Sequence, residues 1–391
     1  MAWKLLDKKD KMKILHIITS LDIGGASKNT IFSAAHQNKK NHSEIVSGPT
    51  GKENLVNEAR KKGIKVKIIK GMSNRIRPLE FISAISSIKK YIEKNKFDVV
   101  HTHSSVAGIL GRIAAKKAGV PVIVHTVHGW GLQEGMNPFK KWVYVMLERY
   151  CAGFTDKLIV VSKFNIDKGL KHKIGSMKQY QVIYSGIPIN KFSRKINKTK
   201  KRKELGLDDN PVVCMVGRLD KQKNPTDFIK AASIVSREIP DAQFIIVGGG
   251  PLESRCRNLI KQLGLENIHI LGFRDDVAEI LQISDIFVLT SLWEGLPRLF
   301  PESMAAKKPI VATNVDGAPE AIKNGRNGFI VQTHKPKLIA EKVLYLLNNP
   351  AKAKDLGKEG LKMVEKFSLK KMLDDIDRLY KELAKKRKTG K

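Results

Sequence analysis

The chain has 391 residues, of which 42% are hydrophobic and 28% charged, and this composition is typical of a soluble globular protein rather than a disordered one. A chain of this length is too long for a single hydrophobic core of ordinary size, so we expect two domains. The formal net charge is +34, with 33 basic against 13 acidic side chains in residues 1–190 and 39 against 25 in residues 191–391. This excess favours contact with nucleic acid, an anionic membrane or phosphorylated substrates, although a general solubility adaptation would give the same count.

The cysteines and the amino-terminal segment indicate the compartment. Cys151, Cys214 and Cys256 are odd in number and scattered, without the Cys or His spacing of a zinc site. Residues 1–10 are too polar for a signal peptide, and no run reaches the roughly 18 apolar residues that span a bilayer. We therefore expect reduced thiols in a cytoplasmic protein.

Short apolar segments alternate with helical patterns along the first half of the chain. The first strand ends at a Gly24-Gly25 turn that leads into a helix, which is the opening unit of a doubly wound sheet. The predicted strands lie at 13–19, 44–46, 65–69, 99–101, 122–126, 158–161 and 180–183, and the predicted helices at 28–40, 79–95 and 138–153. This rhythm indicates a parallel sheet with helices on both faces.

The alternation of predicted strands and helices stops near residues 185–192. A basic stretch follows at 193–204, and the alternation resumes after Pro211. The second set of predicted strands lies at 212–216, 243–247, 268–271, 286–289, 310–312 and 328–331, with helices at 225–238, 251–263, 275–283, from 303 onward, 336–348, 351–366 and 369–385. The predicted fold class is α/β, with two Rossmann-like doubly wound domains that face a central cleft. The predicted boundaries are 1–190 for the first domain, 191–210 for a linker, 211–368 for the second domain, and 369–391 for a carboxyl-terminal helix with a basic tail.

The loop after the predicted strand at 286–289 carries two carboxylates, Glu294 and Glu302, eight positions apart. Gly295 and Pro297 constrain the backbone between them. The loop follows the carboxyl end of a strand, where open α/β sheets bind ligands, and a helix start after it offers unpaired backbone N–H groups. These features predict a site for an anionic ligand.

A second strand-end loop supplies positive charge. Arg218 follows Gly217 directly after the first strand of the second domain, and Lys221 and Lys223 lie a few residues further on. Arginine offers a fork of donors to a phosphate and lysine a mobile point charge, so this loop suits a diphosphate whose charge grows as it leaves. For Lys221 alone, solvated surface charge is the better interpretation.

Histidines gather at the ends of two predicted strands, His101 and His103 on one and His125 and His128 on the next. A histidine at the carboxyl end of a strand can donate to a sugar hydroxyl or orient a reacting group, although each one taken separately is more often a packed or capping residue. Gly129 lets the chain turn at His128. No carboxylate or thiol accompanies the four at ligand spacing, which argues against a zinc site.

Three other function classes are disfavoured by pattern. The Gly24-Gly25 turn lacks the G-x-G-x-x-G spacing and the acidic residue of a dehydrogenase, and the chain has no P-loop. Aromatic residues make up only 6% of the chain and do not interleave with a basic stripe. We therefore expect no nucleic-acid partner.

Taken in order, these features resemble the retaining glycosyltransferases of family 4, which have the GT-B fold. The resemblance runs from about residue 13 to 380 and centres on the Glu-x7-Glu motif of Glu294 and Glu302. The supporting motifs are Gly24-Gly25, His128-Gly129, Gly217-Arg218 with Lys223, Gly248-Gly-Gly-Pro251, Leu271-Gly272 and Asp316-Gly-Ala-Pro-Glu320. Phe300-Pro301 departs from the aliphatic residues that are more usual in the family, and position 316 is usually less acidic.

The resemblance implies a nucleotide-diphospho-sugar donor, expected to be a UDP-sugar, on the second domain and an acceptor on the first. It also implies that the final helix, at 369–385, crosses back onto the first domain. It assigns catalytic roles to four residues: His128 near the 6-hydroxyl of the donor sugar, Arg218 and Lys223 on the diphosphate, and Glu294 on the sugar. It assigns donor binding to Gly25 at the β-phosphate, to Gly272, Phe273 and Arg274 at the base, to the N–H groups of Gly295 and Leu296 near sugar and phosphate, and to Glu302 at the ribose hydroxyls.

The implied function is transfer of a hexose, with retention, to a hydroxyl of a glycan or polyprenyl-diphosphate-linked acceptor in cell-surface polysaccharide or glycoconjugate assembly. No cofactor and no metal are expected, because the basic pair neutralises the diphosphate. Aromatic residues beside lysines in segment 138–147 indicate peripheral contact with an anionic membrane on the inner face of the cell membrane, or else an ordinary core-facing helix. The alternatives are another GT-B nucleotide-sugar enzyme such as an epimerase, a phosphorylase, for which the chain is too short, and a non-catalytic nucleotide-sugar-binding protein.

Overall fold

The computed structural model describes residues 11–51, 54–72, 78–132 and 135–388. The chain divides into two compact units: unit 1 comprises residues 1–186 and 370–391, and unit 2 comprises residues 187–369. Residues 1–10, whose polarity argued against a signal peptide, lie outside the described residues.

Unit 1 is built on a seven-stranded parallel sheet in the order β3-β2-β1-β4-β5-β6-β7. Its strands are β1 (Lys13–Ile18), β2 (His42–Ser47), β3 (Lys65–Ile68), β4 (Val99–His103), β5 (Val122–Val127), β6 (Lys157–Val160) and β7 (Tyr180–Val182). The central strands β4 and β5 are buried along their whole length, as expected where helices cover both faces of a parallel sheet.

Six helices accompany this sheet in the described part of residues 1–186. They are α1 (Gly25–Gln37), α2 (Val56–Lys61), α3 (Pro78–Asn95), α4 (Ser105–Lys117), α5 (Pro138–Ala152) and α6 (Phe164–Lys171). The main apolar cluster packs α3 and α4 against the sheet through residues such as Ile88, Leu110 and Val100. Burial of these side chains is the principal stabilising contribution to the unit.

Unit 2 is built on a six-stranded parallel sheet in the order β10-β9-β8-β11-β12-β13. Its strands are β8 (Val212–Val216), β9 (Gln243–Val247), β10 (Ile268–Ile270), β11 (Ile286–Leu289), β12 (Ile310–Thr313) and β13 (Gly328–Val331). The order reverses between β8 and β11, which creates a topological switch point at their carboxyl ends.

The helices of unit 2 are α7 (Ile189–Ser193), α8 (Lys198–Glu204), α9 (Pro225–Glu238), α10 (Glu253–Gln262), α11 (Val277–Ile283), α12 (Leu299–Ala305), α13 (Ala318–Ala321), α14 (Pro336–Asn348) and α15 (Pro350–Met363). The final helix, α16 (Leu369–Lys388), packs on unit 1. There the Asp377 carboxylate accepts hydrogen bonds from Gln37, at 2.5 Å, and from Lys40, at 2.8 Å. None of the helices within the described ranges has the length and apolar character that crossing a membrane requires.

The predicted fold class is confirmed, since both units are doubly wound α/β sheets. The strands at 212–216, 243–247, 286–289 and 328–331 have the predicted bounds, because each is a short apolar run that ends at polar or glycine residues. Helices α2, α4 and α6 were not predicted. Their patterns are short, or, in α4, composed of small residues buried on most sides, so that an amphipathic period is weak.

Other local predictions also differ from the structure. The helix that we placed at 28–40 is α1 (Gly25–Gln37), and the short helices α7 and α13 were not predicted. The basic stretch that we placed in a linker contains α8, where Asn197 caps the helix by accepting from the Lys200 N–H at 2.9 Å. The helix after the Glu-x7-Glu loop begins at Leu299 instead of Ser303. Pro301 is therefore the third residue of α12, within the first turn, where its missing N–H costs no helical hydrogen bond.

Candidate functional site

The loops that follow β8, β9 and β10 are joined by backbone hydrogen bonds at the carboxyl edge of the unit 2 sheet. The Gly217 N–H donates to the Val247 carbonyl at 2.9 Å, and the Gly248 N–H donates to the Gly272 carbonyl at 2.7 Å. A Cβ at position 248 would lie 2.0 Å from the Gly217 carbonyl oxygen, and its φ of 128° suits only glycine. Glycine at this position thus allows the two loops to lie side by side.

The loops after β8 and β11 meet at the switch point. Lys223 Nζ donates to Glu294 Oε1, and the two side chains are 16% and 8% exposed. Next to this pair, Gln222 Nε2 donates to the Trp293 carbonyl at 3.0 Å, while the Leu292 N–H donates to the Gln222 carbonyl at 2.8 Å. The structure therefore brings together two predicted site residues that lie 71 positions apart in the sequence.

The Glu294 side chain is held from a second direction. Ser291 Oγ donates to Glu294 Oε1 at 2.7 Å, and the Glu294 backbone N–H donates to Asp316 Oδ2 at 2.5 Å. The Gly317 N–H donates to the Gly295 carbonyl at 3.1 Å, so the loop after β12 supports the loop after β11. Sequence reasoning missed Ser291 and Gln222, and it left the orientation of Asp316 open, because such contacts depend on how loops from different strands meet.

The second glutamate of the motif lies in the first turn of α12. Glu302 and Arg298 are both largely buried, with Glu302 Oε1 at 3.4 Å from Arg298 Nη2. Burial lowers the pKa of Arg298, and the adjacent Glu302 carboxylate opposes that shift. This partner was missed, although its spacing of four residues on a helix could have indicated it. Leu296, between the glutamates, is buried.

Arg218 differs from Lys223 in its surroundings. Its side chain is 69% exposed, and its Nε lies 3.7 Å from Asp220 Oδ2. The same aspartate accepts from the Lys223 backbone N–H at 3.0 Å, which fixes the turn between the two basic residues. The loop therefore presents one basic side chain that is largely buried against Glu294 and one that is largely exposed beside Asp220.

The predicted base-binding turn begins at Gly272, whose φ of 66° is left-handed. Phe273 is about half exposed, and a Cβ on Gly249 would approach its ring to 2.9 Å. The Arg274 guanidinium pairs with Asp276 at 2.6 Å and with Glu204 at 2.9 Å. Hydrogen bonds to these two carboxylates raise the pKa of Arg274. The Arg274 side chain thus anchors the turn, and contact of this turn with a base stays a prediction.

Two predicted site residues lie in unit 1. Gly25 is the first residue of α1, which has 13 residues, and Gly24 precedes it with an extended φ of 175°. His128 follows β5 directly, before Gly129, whose φ is 150°. The role of each at a donor stays a prediction.

A row of histidines crosses the sheet of unit 1. His16 on β1 pairs in register with His101 on β4, and His103 shares their face two residues on. His16 Nδ1 lies 3.0 Å from His103 Nε2, and His103 Nδ1 lies 3.3 Å from His128 Nε2. Sequence reasoning missed His16, because its position beside the others follows only from the strand register.

The neighbouring histidines are engaged elsewhere. His101 uses both ring nitrogens, at 2.6 Å from the Tyr380 hydroxyl of α16 and 2.6 Å from Thr126 Oγ1. One nitrogen each of His16, His101 and His103 lies within 4.8 Å of the others, which is a spacing compatible with a metal. Coordination by His101 would require it to give up one of these hydrogen bonds. His125 lies on the opposite face, with Nδ1 at 2.9 Å from Thr102 Oγ1.

Comparison with known proteins agrees with this architecture. The model for glycosyltransferase family 4 matches residues 23–191, and the model for glycosyl transferases group 1 matches residues 197–363. The chain is 36% identical to an Escherichia coli UDP-Gal:alpha-D-GlcNAc-diphosphoundecaprenol alpha-1,3-galactosyltransferase over 313 residues, which cover 76% of this chain and 79% of that protein. It is 28% identical over 336 residues to a Campylobacter jejuni N,N'-diacetylbacillosaminyl-diphospho-undecaprenol alpha-1,3-N-acetylgalactosaminyltransferase, covering 82% and 87% of the two chains.

Among solved structures, Anabaena HepE in complex with UDP and glucose superposes with a TM-score of 0.84 and 22% identity, covering 95% of this chain and all of that one. Two doubly wound α/β units of this kind are the architecture of the GT-B glycosyltransferases. The chain belongs to the glycosyltransferase family that the two models define, and it is a glycosyltransferase of family 4.

Proposed function

We propose that this glycosyltransferase moves a hexose from a UDP-sugar to a hydroxyl of a lipid-linked glycan, with retention of anomeric configuration, in cell-surface polysaccharide or glycoconjugate assembly. The observation that carries the proposal is the Lys223–Glu294 pair at the switch point of unit 2, where open α/β sheets bind their ligands. Arg218 and Lys223 would hold the diphosphate, and Glu294 would accept from the sugar hydroxyls. Glu302, in the first turn of α12, would accept from the ribose hydroxyls.

The remaining donor contacts follow the family pattern. Gly25 would approach the β-phosphate through its backbone, and His128 would donate to the donor sugar. The N–H groups of Gly295 and Leu296 would lie near sugar and phosphate, and the turn at 272–274 would meet the base. Anabaena HepE, which has a similar fold, forms crystalline complexes with UDP and glucose and with UDP-glucose, which supports uridine as the base.

The chemical step that we propose is a front-face displacement. The acceptor oxygen bonds to the anomeric carbon on the face from which the diphosphate departs, and a diphosphate oxygen takes the proton of the acceptor hydroxyl. Arg218 and Lys223 stabilise the charge that develops on the leaving diphosphate. Because these cations supply the neutralising charge, we expect transfer to persist in EDTA.

Membrane contact is part of the same proposal. The aromatic segment predicted from the sequence is α5, and four of its large side chains form an exposed stripe: Phe139 (70%), Trp142 (60%), Met146 (43%) and Tyr150 (62%). The opposite face carries the buried residues of the helix, so the core accounts for only part of its apolar content. Lys140, next to Phe139 in the sequence, is exposed in the same turn of the helix, and aromatic side chains together with lysine suit the interface of an anionic membrane. A diphosphoundecaprenol-linked acceptor, of the kind named for the E. coli relative, resides in such a membrane.

Liposome sedimentation tests the membrane contact. We expect the chain to co-sediment with anionic vesicles at low salt, less at moderate salt, and weakly with neutral vesicles. Trp142→Ser should reduce the bound fraction, whereas Tyr345→Ser, at an exposed aromatic of α14 in unit 2, should not. Equal binding by the two variants, or binding that ignores salt, would contradict a docking role for α5.

Binding of the donor is tested by thermal unfolding with a panel of diphosphates and sugar nucleotides. UDP should raise the melting temperature more than GDP, and one UDP-sugar should be hydrolysed or consumed when a membrane extract supplies acceptor. Conversion of the sugar nucleotide to an isomer without release of UDP would identify an epimerase instead. Stabilisation by a UDP-sugar with no turnover in any extract would favour a non-catalytic binding protein.

A further inference from the structure

The hydrogen-bonded row His16–His103–His128 is not explained by the proposed donor contacts, which need only His128. The row joins β1, β4 and the end of β5, one after the other. The ring centroids are 5.3 Å apart for His16 and His103 and 5.5 Å apart for His103 and His128. His16 and His103 are 0% and 2% exposed. Water therefore does not compete for these nitrogens, and the hydrogen bonds within the row determine where their protons lie.

Burial fixes the charge state of the first two rings. It lowers the pKa of His16 to about 3 and, with help from the neighbouring histidines, holds the pKa of His103 well below its usual range. At neutral pH each of these rings is uncharged and carries one N–H. His103 uses both nitrogens, so it must accept at one and donate at the other. The two hydrogen bonds of the row are therefore donated in the same direction, either both toward His16 or both toward His128.

The far end of the row selects that direction. Within the described part of the chain, His16 Nε2 is buried and has no hydrogen-bond partner. If both hydrogen bonds were donated toward His16, His16 would accept at Nδ1, and its own proton would lie on Nε2 as a buried N–H without a partner. If both are donated away from His16, its proton lies on Nδ1, and Nε2 carries only a lone pair without a partner. Buried donors without partners are rarer than under-used acceptors, so the second arrangement is favoured.

We propose that His16 and His103 are positioning residues that fix the tautomer of His128. His16 Nδ1–H donates to His103 Nε2, His103 Nδ1–H donates to His128 Nε2, and the proton of neutral His128 is thereby placed on Nδ1. An N–H at Nδ1 is the form of His128 that can donate to the oxygen of a sugar hydroxyl. The role of this N–H in sugar transfer rests on the proposed function, whereas the assignment of the tautomer is independent of it.

The test is ¹⁵N NMR of the full chain labelled at histidine, which distinguishes protonated from unprotonated ring nitrogens. The His128 signals are assigned by their loss in His128→Gln. In the wild type at pH 7.5 we expect Nδ1 protonated and Nε2 unprotonated. In His103→Phe, which removes the donor, His128 should shift toward the Nε2–H form. His103→Gln, whose amide can both accept and donate, should restore the wild-type pattern.

His125→Gln is the matched control, since His125 is equally buried but lies on the opposite face of the sheet. It should leave the His128 signals unchanged. Thermal unfolding of every variant shows whether it is folded. If Phe is not tolerated at position 103, the tautomer of His128 in the wild type still decides the direction of the hydrogen bonds. An Nε2–H tautomer in the wild type, or a tautomer that ignores His103 in a folded variant, would overturn the proposal.

Transfer assays on the same variants separate this proposal from the proposed function. If the wild type transfers sugar, kcat should fall roughly tenfold in His103→Phe, the equivalent of one lost hydrogen bond, and recover in His103→Gln. If the wild type transfers nothing, the proposed function fails, and the NMR result still decides the tautomer.

Discussion

Lys223 offers the sharpest perturbation of the candidate site. Its ammonium group bonds to Glu294 across the switch point, and its stem packs beside Gly217, where a Cβ would lie 3.4 Å from Lys223 Cδ. Lys223→Ala removes the charge and leaves the backbone of the loop, which is held by Asp220 and Leu292, in place. We therefore expect a defect in chemistry more than in folding.

The structure sets the scale of each effect. After the substitution Glu294 keeps the hydrogen bond from Ser291 at 2.7 Å, so its carboxylate is not left without a donor. The loss in folding free energy should then be about 1–2 kcal/mol. Removal of one group that stabilises charge in a transition state typically lowers kcat by about 10²–10³-fold. Because that charge develops as the diphosphate departs, KM for the donor should change much less than kcat.

Steady-state release of UDP gives both constants for Lys223→Ala. Lys221→Ala is the control, since Lys221 lies in the same loop and is exposed. It should keep near-normal turnover. If Lys223→Ala also turns over at a near-normal rate, Lys223 does not stabilise the leaving group. A fall in melting temperature as large as that of a core variant would instead attribute the defect to folding.

Three further predictions concern the fold and its pH dependence. The pKa of His16 is depressed to about 3, so the unfolded chain binds more protons than the folded chain below pH 6.5. Chemical denaturation should show about 2 kcal/mol less stability from this residue at pH 5 than at pH 7.5. His16→Leu should reduce the pH 5 to 7.5 difference by about that amount, while the contributions of the buried His101, His103 and His125, whose pKa values are also lowered, remain. Gly248→Ala would place a Cβ 2.0 Å from the Gly217 carbonyl oxygen at a φ of 128°, and it should weaken UDP binding in calorimetry by disturbing both loops. Arg112 and Glu148 form a fully buried ion pair, so Glu148→Leu leaves the Arg112 charge without its partner and should lower the free energy of unfolding by about 3–5 kcal/mol. Adding Arg112→Leu removes that charge and should recover part of the loss. No recovery in the double variant would contradict this explanation.

The sequence was most informative where structure is local. Short apolar runs such as Val212–Val216, rich in valine and followed by glycine, are typical of strands buried in a parallel sheet. The start of α12 was predicted four residues late, because Leu299 and Phe300 resemble a continuation of the apolar loop. A helix start with no side-chain cap gives little signal in the sequence.

The sequence predicted candidate site residues but not the contacts between them. The spacing of Glu294 and Glu302 is visible in the sequence, whereas the bond from Lys223 to Glu294 depends on β8 and β11 being neighbours. The same holds for His16, which reaches His103 only through strand register. Contacts between distant segments follow from topology, which single-sequence patterns specify only in outline.

The central claim is most directly tested by following a radiolabelled sugar. The chain is incubated with the UDP-sugar that binds best and with membranes that contain diphosphopolyprenol-linked acceptors, and label is measured in the organic extract. We expect label to enter a lipid-linked product with the anomeric configuration of the donor, and to be reduced about 100-fold with Lys223→Ala. Label that stays in the aqueous phase with every UDP-sugar, or a product of inverted configuration, would contradict the account.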